Sequence, residues 1–145
     1  KTQDFTIHVN HNQQNCETEV VARNVCRERG QSVFQGKFFV AQVAQKTDAE
    51  MSCKSLLLSD RARADSKPEI EVYADDVVCG HGATVGTLDQ ESLFYLMSRG
   101  VPRVTAENLL VEGFLEEVLD RIPDEATAKL WRENFATWLT ETSKG

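Results

Sequence analysis

The run Val33-Phe34-Gln35-Gly36-Lys37-Phe38-Phe39-Val40 decides the class of fold. Eight residues dominated by aromatic and β-branched side chains, with no stripe at helical spacing, read as a strand. Working outward, three further bursts share its character: Phe5-Thr6-Ile7-His8-Val9, Leu56-Leu57-Leu58 and Ile70-Glu71-Val72-Tyr73. Gly30, Asp60, Asp65, Pro68 and Gly80 are expected to supply the turns between them.

Near Thr87 the apolar period changes from two to about 3.6. Asp89 to Arg99 would form a helix presenting Leu93, Phe94, Leu96 and Met97, with Thr87 or Asp89 as cap and Gly100 and Pro102 as the stop. A second helix is expected after Thr105, stacking Leu110, Phe114, Val118 and Ile122 with Val111, Leu115 and Leu119 alongside, and ending at Pro123. A third, capped by Asp124, places Ala128, Trp131, Phe135 and Trp138 at spacings of three and four, while Thr142 to Gly145 reads as a frayed tail. The class is therefore mainly β with α: a strand region over 1–86, then a helical region over 87–145.

Composition excludes several functions. The 145 residues are 41% hydrophobic and carry a net charge of −7, so the chain can fill a core and opposes general binding to phosphate backbones. Nucleic acid is not an expected partner. No run approaches the roughly 18 to 20 apolar residues that a membrane helix requires, and no apolar run follows a basic start, so no membrane partner is expected either. Cys16, Cys26, Cys53 and Cys79 are widely spaced with no CxxC pair, which points to reduced thiols in a cytosol-like compartment. Most of the net negative charge falls in residues 87–145, where a solvated helix face accounts for it.

Chemistry-bearing motifs are few. Gly30 and Gly36-Lys37 enclose five residues where a Walker loop has four, and Phe38 stands where a hydroxyl would hold magnesium. Gly80-His81-Gly82-Ala83-Thr84-Val85 lacks the third glycine of a dinucleotide fingerprint. No GxSxG occurs, and only His8, His11 and His81 could act as a base, so a hydrolytic triad is not supported. Cys79-Gly80-His81 is the sharpest cluster: in an extended strand its two donors share one face about 7 Å apart, with glycines leaving the approach open. On residue types alone it reads either as a ligand pair completed by another segment or as a small structural Cys beside a hydrogen-bonded His.

The twenty residues Lys67 to Gly86, KPEIEVYADDVVCGHGATVG, resemble the SufB/SufD family of iron–sulfur cluster assembly proteins. Val33 to Lys37, Ala44 to Ala49, Leu56 to Ser59 and Leu93 to Gly100 match in the same order, and His81-Gly82-Ala83, where SufB-type chains carry HEA, favours the SufD side. The resemblance implies the C-terminal rungs of a right-handed parallel β-helix over 1–86, followed by a helical C-terminal domain over 87–145. It implies that the chain is part of a longer protein, so that the first rung near Phe5 to Val9 needs a cover, with self-association as one way to supply it. It implies a non-catalytic component working with a SufB-like subunit and a SufC-like ATPase, in the bacterial cytoplasm or a plastid stroma. Under it His81, accompanied by Cys79, becomes a ligand for iron or a nascent cluster shared with SufB and not held stably by this chain alone. Tyr95, Arg99, Gly100 and Phe114 become candidates for the ATPase contact. The alternative is a β-solenoid adaptor for another ATPase, with purely structural Cys and His.

Overall fold

The computed structural model describes residues 1–142. Two compact units divide the chain, Lys1–Gly86 and Thr87–Gly145. The first contains strands of ten residues each: β1 (Thr2–His11), β2 (Glu17–Cys26), β3 (Gln31–Val40), β4 (Asp48–Leu57), β5 (Arg63–Val72) and β6 (Val78–Thr87). The chain alternates between two sheets, ordered β1-β3-β5 and β2-β4-β6. Pairing of β1 with β3, β3 with β5 and β2 with β4 is parallel and unbroken, so like positions stack: Val9 beside Phe38 beside Ile70.

Alternating side chains from both sheets meet in one core. Phe34 and Phe38 of β3 join Ala49, Met51 and Cys53 of β4, and Ile7, Val9, Val20, Ala22, Ile70 and Cys79 pack around them. The close approach requires a glycine at 36, where an added Cβ would lie 2.2 Å from Met51 Sδ. Met51 is itself fully buried, so its thioether would have to repack to admit that Cβ. A smaller cluster of Val40, Ala44 and Ala74, with Val77 and Cys79 against it, closes one end of the sheets.

Three of the expected turn residues lie inside strands instead. Asp65 and Pro68 belong to β5 and Gly80 to β6. Both are edge strands, where one side of the backbone lacks a ladder partner, so a proline or a glycine costs least there. The turns are made by Asn15, Glu28 and Lys46, whose φ values of 57°, 52° and 64° are left-handed, together with Gly30 and the Asp60 turn. β2 and most of β4 escaped the sequence reading. Their inward positions intersperse Val20 and Met51 with Thr18, Ala22, Asn24, Ala49, Cys53 and Ser55, which are small or polar and break up any hydrophobic burst.

In the second unit, α1 (Gln90–Ser98) is capped by Asp89, whose carboxylate accepts from the Glu91 and Ser92 N–H groups at 3.3 and 3.1 Å. Gly100, at φ +88°, ends it. The apolar face is narrower than expected: Leu93 is buried while Phe94 is 74% exposed. α2 (Arg103–Leu119) starts directly after Pro102, which sits in extended geometry at the N-cap, ahead of the expected start after Thr105. It ends at Leu119, short of Pro123, and its buried stripe is Ala106, Val111, Leu115 and Leu119. The row through Leu110, Phe114 and Val118 is half-buried. α3 (Glu125–Thr142) begins where Asp124 accepts from the Thr127 N–H at 2.8 Å, and Arg132 ties it to Glu116 and Asp120 of α2. Trp131 packs on Phe135 with ring centroids 5.9 Å apart. Of the expected frayed tail, Thr142 closes α3 and residues 143–145 lie outside the described residues.

Candidate functional site

β6 is the edge strand that carries Cys79-Gly80-His81. The Val78 N–H donates to the Thr47 carbonyl at 2.9 Å, which fixes where the strand starts against β4. Inward alternation then turns Cys79 toward both apolar clusters, where it is half-buried. Burial pushes its thiol pKa up and the nearby Asp48 carboxylate pushes it further, opposed by a hydrogen bond with the Ala49 backbone. The sulfur is held as a neutral thiol that must shed its proton to bind a metal.

His81 follows two residues later, on the same face by strand alternation. It is exposed, because the cover that half-buries Cys79 ends there and every later residue of β6 is exposed. A Cβ at Gly80 or Gly82 would meet no atom within 4 Å, so the backbone on either side of the imidazole stands in open space. Among the described residues no group of three or more His, Cys, Asp or Glu side chains is arranged to hold a metal ion. The cysteine and histidine therefore bring at most two donors between them.

The remaining titratable residues serve other ends. His11 is 3% exposed, its Nε2 lies 2.8 Å from Thr18 Oγ1, and its ring meets Phe38 edge-on, whereas His8 is exposed on the opposite face of β1. They form no pair. Cys26 and Cys53 are buried, Cys16 donates to the Gln13 carbonyl at 3.1 Å, and all four thiols are free. Asp75 accepts from Gln45 Nε2 at 3.2 Å, and Asp76 pairs with Lys46. Gly36-Lys37 sits inside β3 and the glycines at 80, 82 and 86 inside β6, so neither pattern forms a phosphate-cradling loop before a helix.

On the helical unit, Tyr95 is 57% exposed with the Arg99 guanidinium 5.3 Å from its ring centroid, and Gly100 follows at the end of α1. Phe114 is half-buried on α2. The sequence reading put Phe94 on the apolar face by its helical spacing, but packing buries Leu93, half-buries Leu96 and leaves Phe94 exposed. That reading missed the charge of Asp48 on Cys79, although the run Ala44 to Ala49 that carries it was recognisable.

Comparison with known proteins agrees with the resemblance. Residues 1–114 match the family described as SUF system FeS cluster assembly, SufBD core domain. The chain is 41% identical over 115 residues to the iron–sulfur cluster assembly protein SufD of Escherichia coli, covering 79% of this chain and 27% of that protein. It is 36% identical over 129 residues to SufD of Bacillus subtilis, covering 89% and 30%. With the chloroplastic protein ABCI7 of Arabidopsis thaliana it shares 40% over 100 residues, covering 69% and 21%. The chain thus spans between a fifth and a third of the length of these relatives. On the strength of the family match and these identities, the chain belongs to the SufB/SufD family of iron–sulfur cluster assembly proteins, on its SufD side.

Proposed function

We propose that the chain is part of a SufD-like, non-catalytic component of the SUF system, working with a SufB-like subunit and a SufC-like ATPase to build iron–sulfur clusters. The observation that carries this reading is an exposed imidazole, His81, on the edge strand β6, beside a half-buried thiol and without a third donor arranged around them among the described residues. Two donors on an open edge suit a site completed across an interface. In this reading iron or a nascent cluster is cargo, held by a ring nitrogen of His81, with Cys79 close by and the other ligands supplied by the SufB-like partner.

The finer architecture follows the same reading. Strands that alternate between two parallel sheets are rungs of a right-handed parallel β-helix, and the helical unit is the ATPase-facing part. Tyr95, Arg99 and Gly100 at the end of α1, with Phe114 on α2, form the contact. Phe5, 58% exposed on the edge strand β1 and stacked on Phe34, gives self-association a surface as well. No described helix is long and apolar enough to cross a membrane, and a cytoplasmic or plastid-stromal setting fits the relatives named above.

One observation favours the second reading, a solenoid adaptor with structural Cys and His: Cys79 packs against both core clusters as a small apolar side chain would. Co-purification separates the two. Recovery of SufB-like and SufC-like chains, with iron that falls when His81→Ala is introduced into an intact complex, supports cluster assembly. Recovery of a different ATPase, with no iron dependence on His81, supports the adaptor.

A further inference from the structure

The strand bearing Cys79 and His81 is poorly equipped to choose its own register. It is an edge strand, it contains Gly80, Gly82 and Gly86, and all but one of its residues are exposed. Glycine-rich strands without a buried apolar face specify register weakly, and a slip of one residue turns every side chain to the other face. Something outside the strand must set it.

The turn between β3 and β4 grips the turn between β5 and β6. Gln45 Nε2 donates to the Gln42 carbonyl at 2.9 Å and to Asp75 Oδ1 at 3.2 Å, while Gln45 Oε1 accepts from the Asp76 N–H at 3.0 Å. Both amide protons and the amide oxygen are used. Lys46, in the left-handed region, donates its N–H to the Asp76 carbonyl at 2.7 Å, and its ammonium pairs with the Asp76 carboxylate. One residue further, the Thr47 carbonyl receives the Val78 N–H. The buried Thr47 hydroxyl is anchored in turn on the Ala44 carbonyl at 2.8 Å. This chain of bonds ends one residue before Cys79.

We propose that Gln45 is a positioning residue that sets the register of β6, and thereby decides which face of that strand carries Cys79 and His81. The proposal rests on the reading that those two side chains act from one face, but its own test does not depend on iron. In a slipped strand Cys79 points outward, where iodoacetamide reaches it. In the full chain at fixed pH, Gln45→Ala should speed alkylation of Cys79 on the order of tenfold while Cys26 and Cys53 stay protected. A general loss of stability would raise all three together.

Exchanging donor and acceptor supplies the rescue. Gln45→Glu alone sets two carboxylates against each other and should behave like Gln45→Ala. Gln45→Glu combined with Asp75→Asn lets the new amide donate to the new carboxylate, and should return Cys79 to its slow rate. Unchanged Cys79 reactivity in Gln45→Ala, parallel acceleration of Cys26 and Cys53, or a double variant no better than Gln45→Glu would each overturn the proposal. If alkylation follows the prediction but neither Gln45→Ala nor His81→Ala lowers iron in the complex with SufB-like and SufC-like chains, the ligand reading fails and the register inference stands.

Discussion

β3 and β6 have the same length and lie in the same unit, yet they differ in almost every physical respect. β3 sits between two neighbours and sends Phe34, Phe38 and Val40 into the interior. β6 has a neighbour on one side, three glycines and a single half-buried residue, Cys79. The comparison teaches where stability and chemistry reside. A buried central strand cannot offer a donor to another chain, and an open edge can do so because little of the fold's free energy depends on it.

The sharpest way to break this contrast is to empty the centre. Phe38→Ala removes a fully buried ring packed between both sheets and should cost about 3–5 kcal/mol in chemical denaturation. A loss as small as that of an exposed residue would place the core elsewhere. Gly36→Ala tests the same region from the opposite side, by overpacking. With its Cβ driven against Met51 and Phe34 it should cost about 1–3 kcal/mol, and pairing it with a smaller residue at 51 should recover part of that loss.

The strand region was legible where it is apolar and obscure where it is not. Val33 to Val40 covers the last eight residues of β3, and Phe5 to Val9 falls within β1. β2 could not be read because its inward positions include Thr18 and Asn24, and Asn24 bonds to Ser55 at 3.1 Å instead of packing apolar surface. Pro68 and Gly80 misled for a related reason: they punctuate turns in general, but the open side of an edge strand tolerates them. At the site, the placement of Cys79 and His81 on one face of a strand was legible from spacing alone. The Asp48 charge and the Gln45 clamp were not, since both depend on which turn stacks on which.

Two smaller effects sharpen the comparison through pH. Burial raises the thiol pKa of Cys26 and Cys79 in the folded state. Folding therefore favours their protonated forms, so their contribution is full below the ordinary thiol pKa and is lost as pH rises through the elevated value. Alkaline denaturation should soften in Cys26→Ala and Cys79→Ala, and an unaltered alkaline limb would contradict the assigned burial. Asp89 has the opposite sign. Hydrogen bonds from the Ser92 hydroxyl and the Ser92 N–H hold its carboxyl below the usual range, so its support for α1 is present above the ordinary carboxyl pKa and fades on acidification. Amide exchange at Glu91 and Ser92 should quicken in acid relative to the rest of α1, once intrinsic exchange rates are divided out, and Asp89→Asn should flatten that dependence.

His81→Ala, on exposed β6, should leave stability within about 0.5 kcal/mol of the parent, far from the cost at Phe38. Its consequence is chemical. Pulsed electron paramagnetic resonance on the reduced, iron-loaded complex, with histidine labelled by nitrogen-15, asks directly whether an imidazole of this chain touches the cluster. The account predicts a nitrogen coupling that appears when only this subunit is labelled and vanishes in His81→Ala while the complex stays assembled. A labelled complex with full iron and no such coupling, or a coupling that survives the substitution, would contradict it.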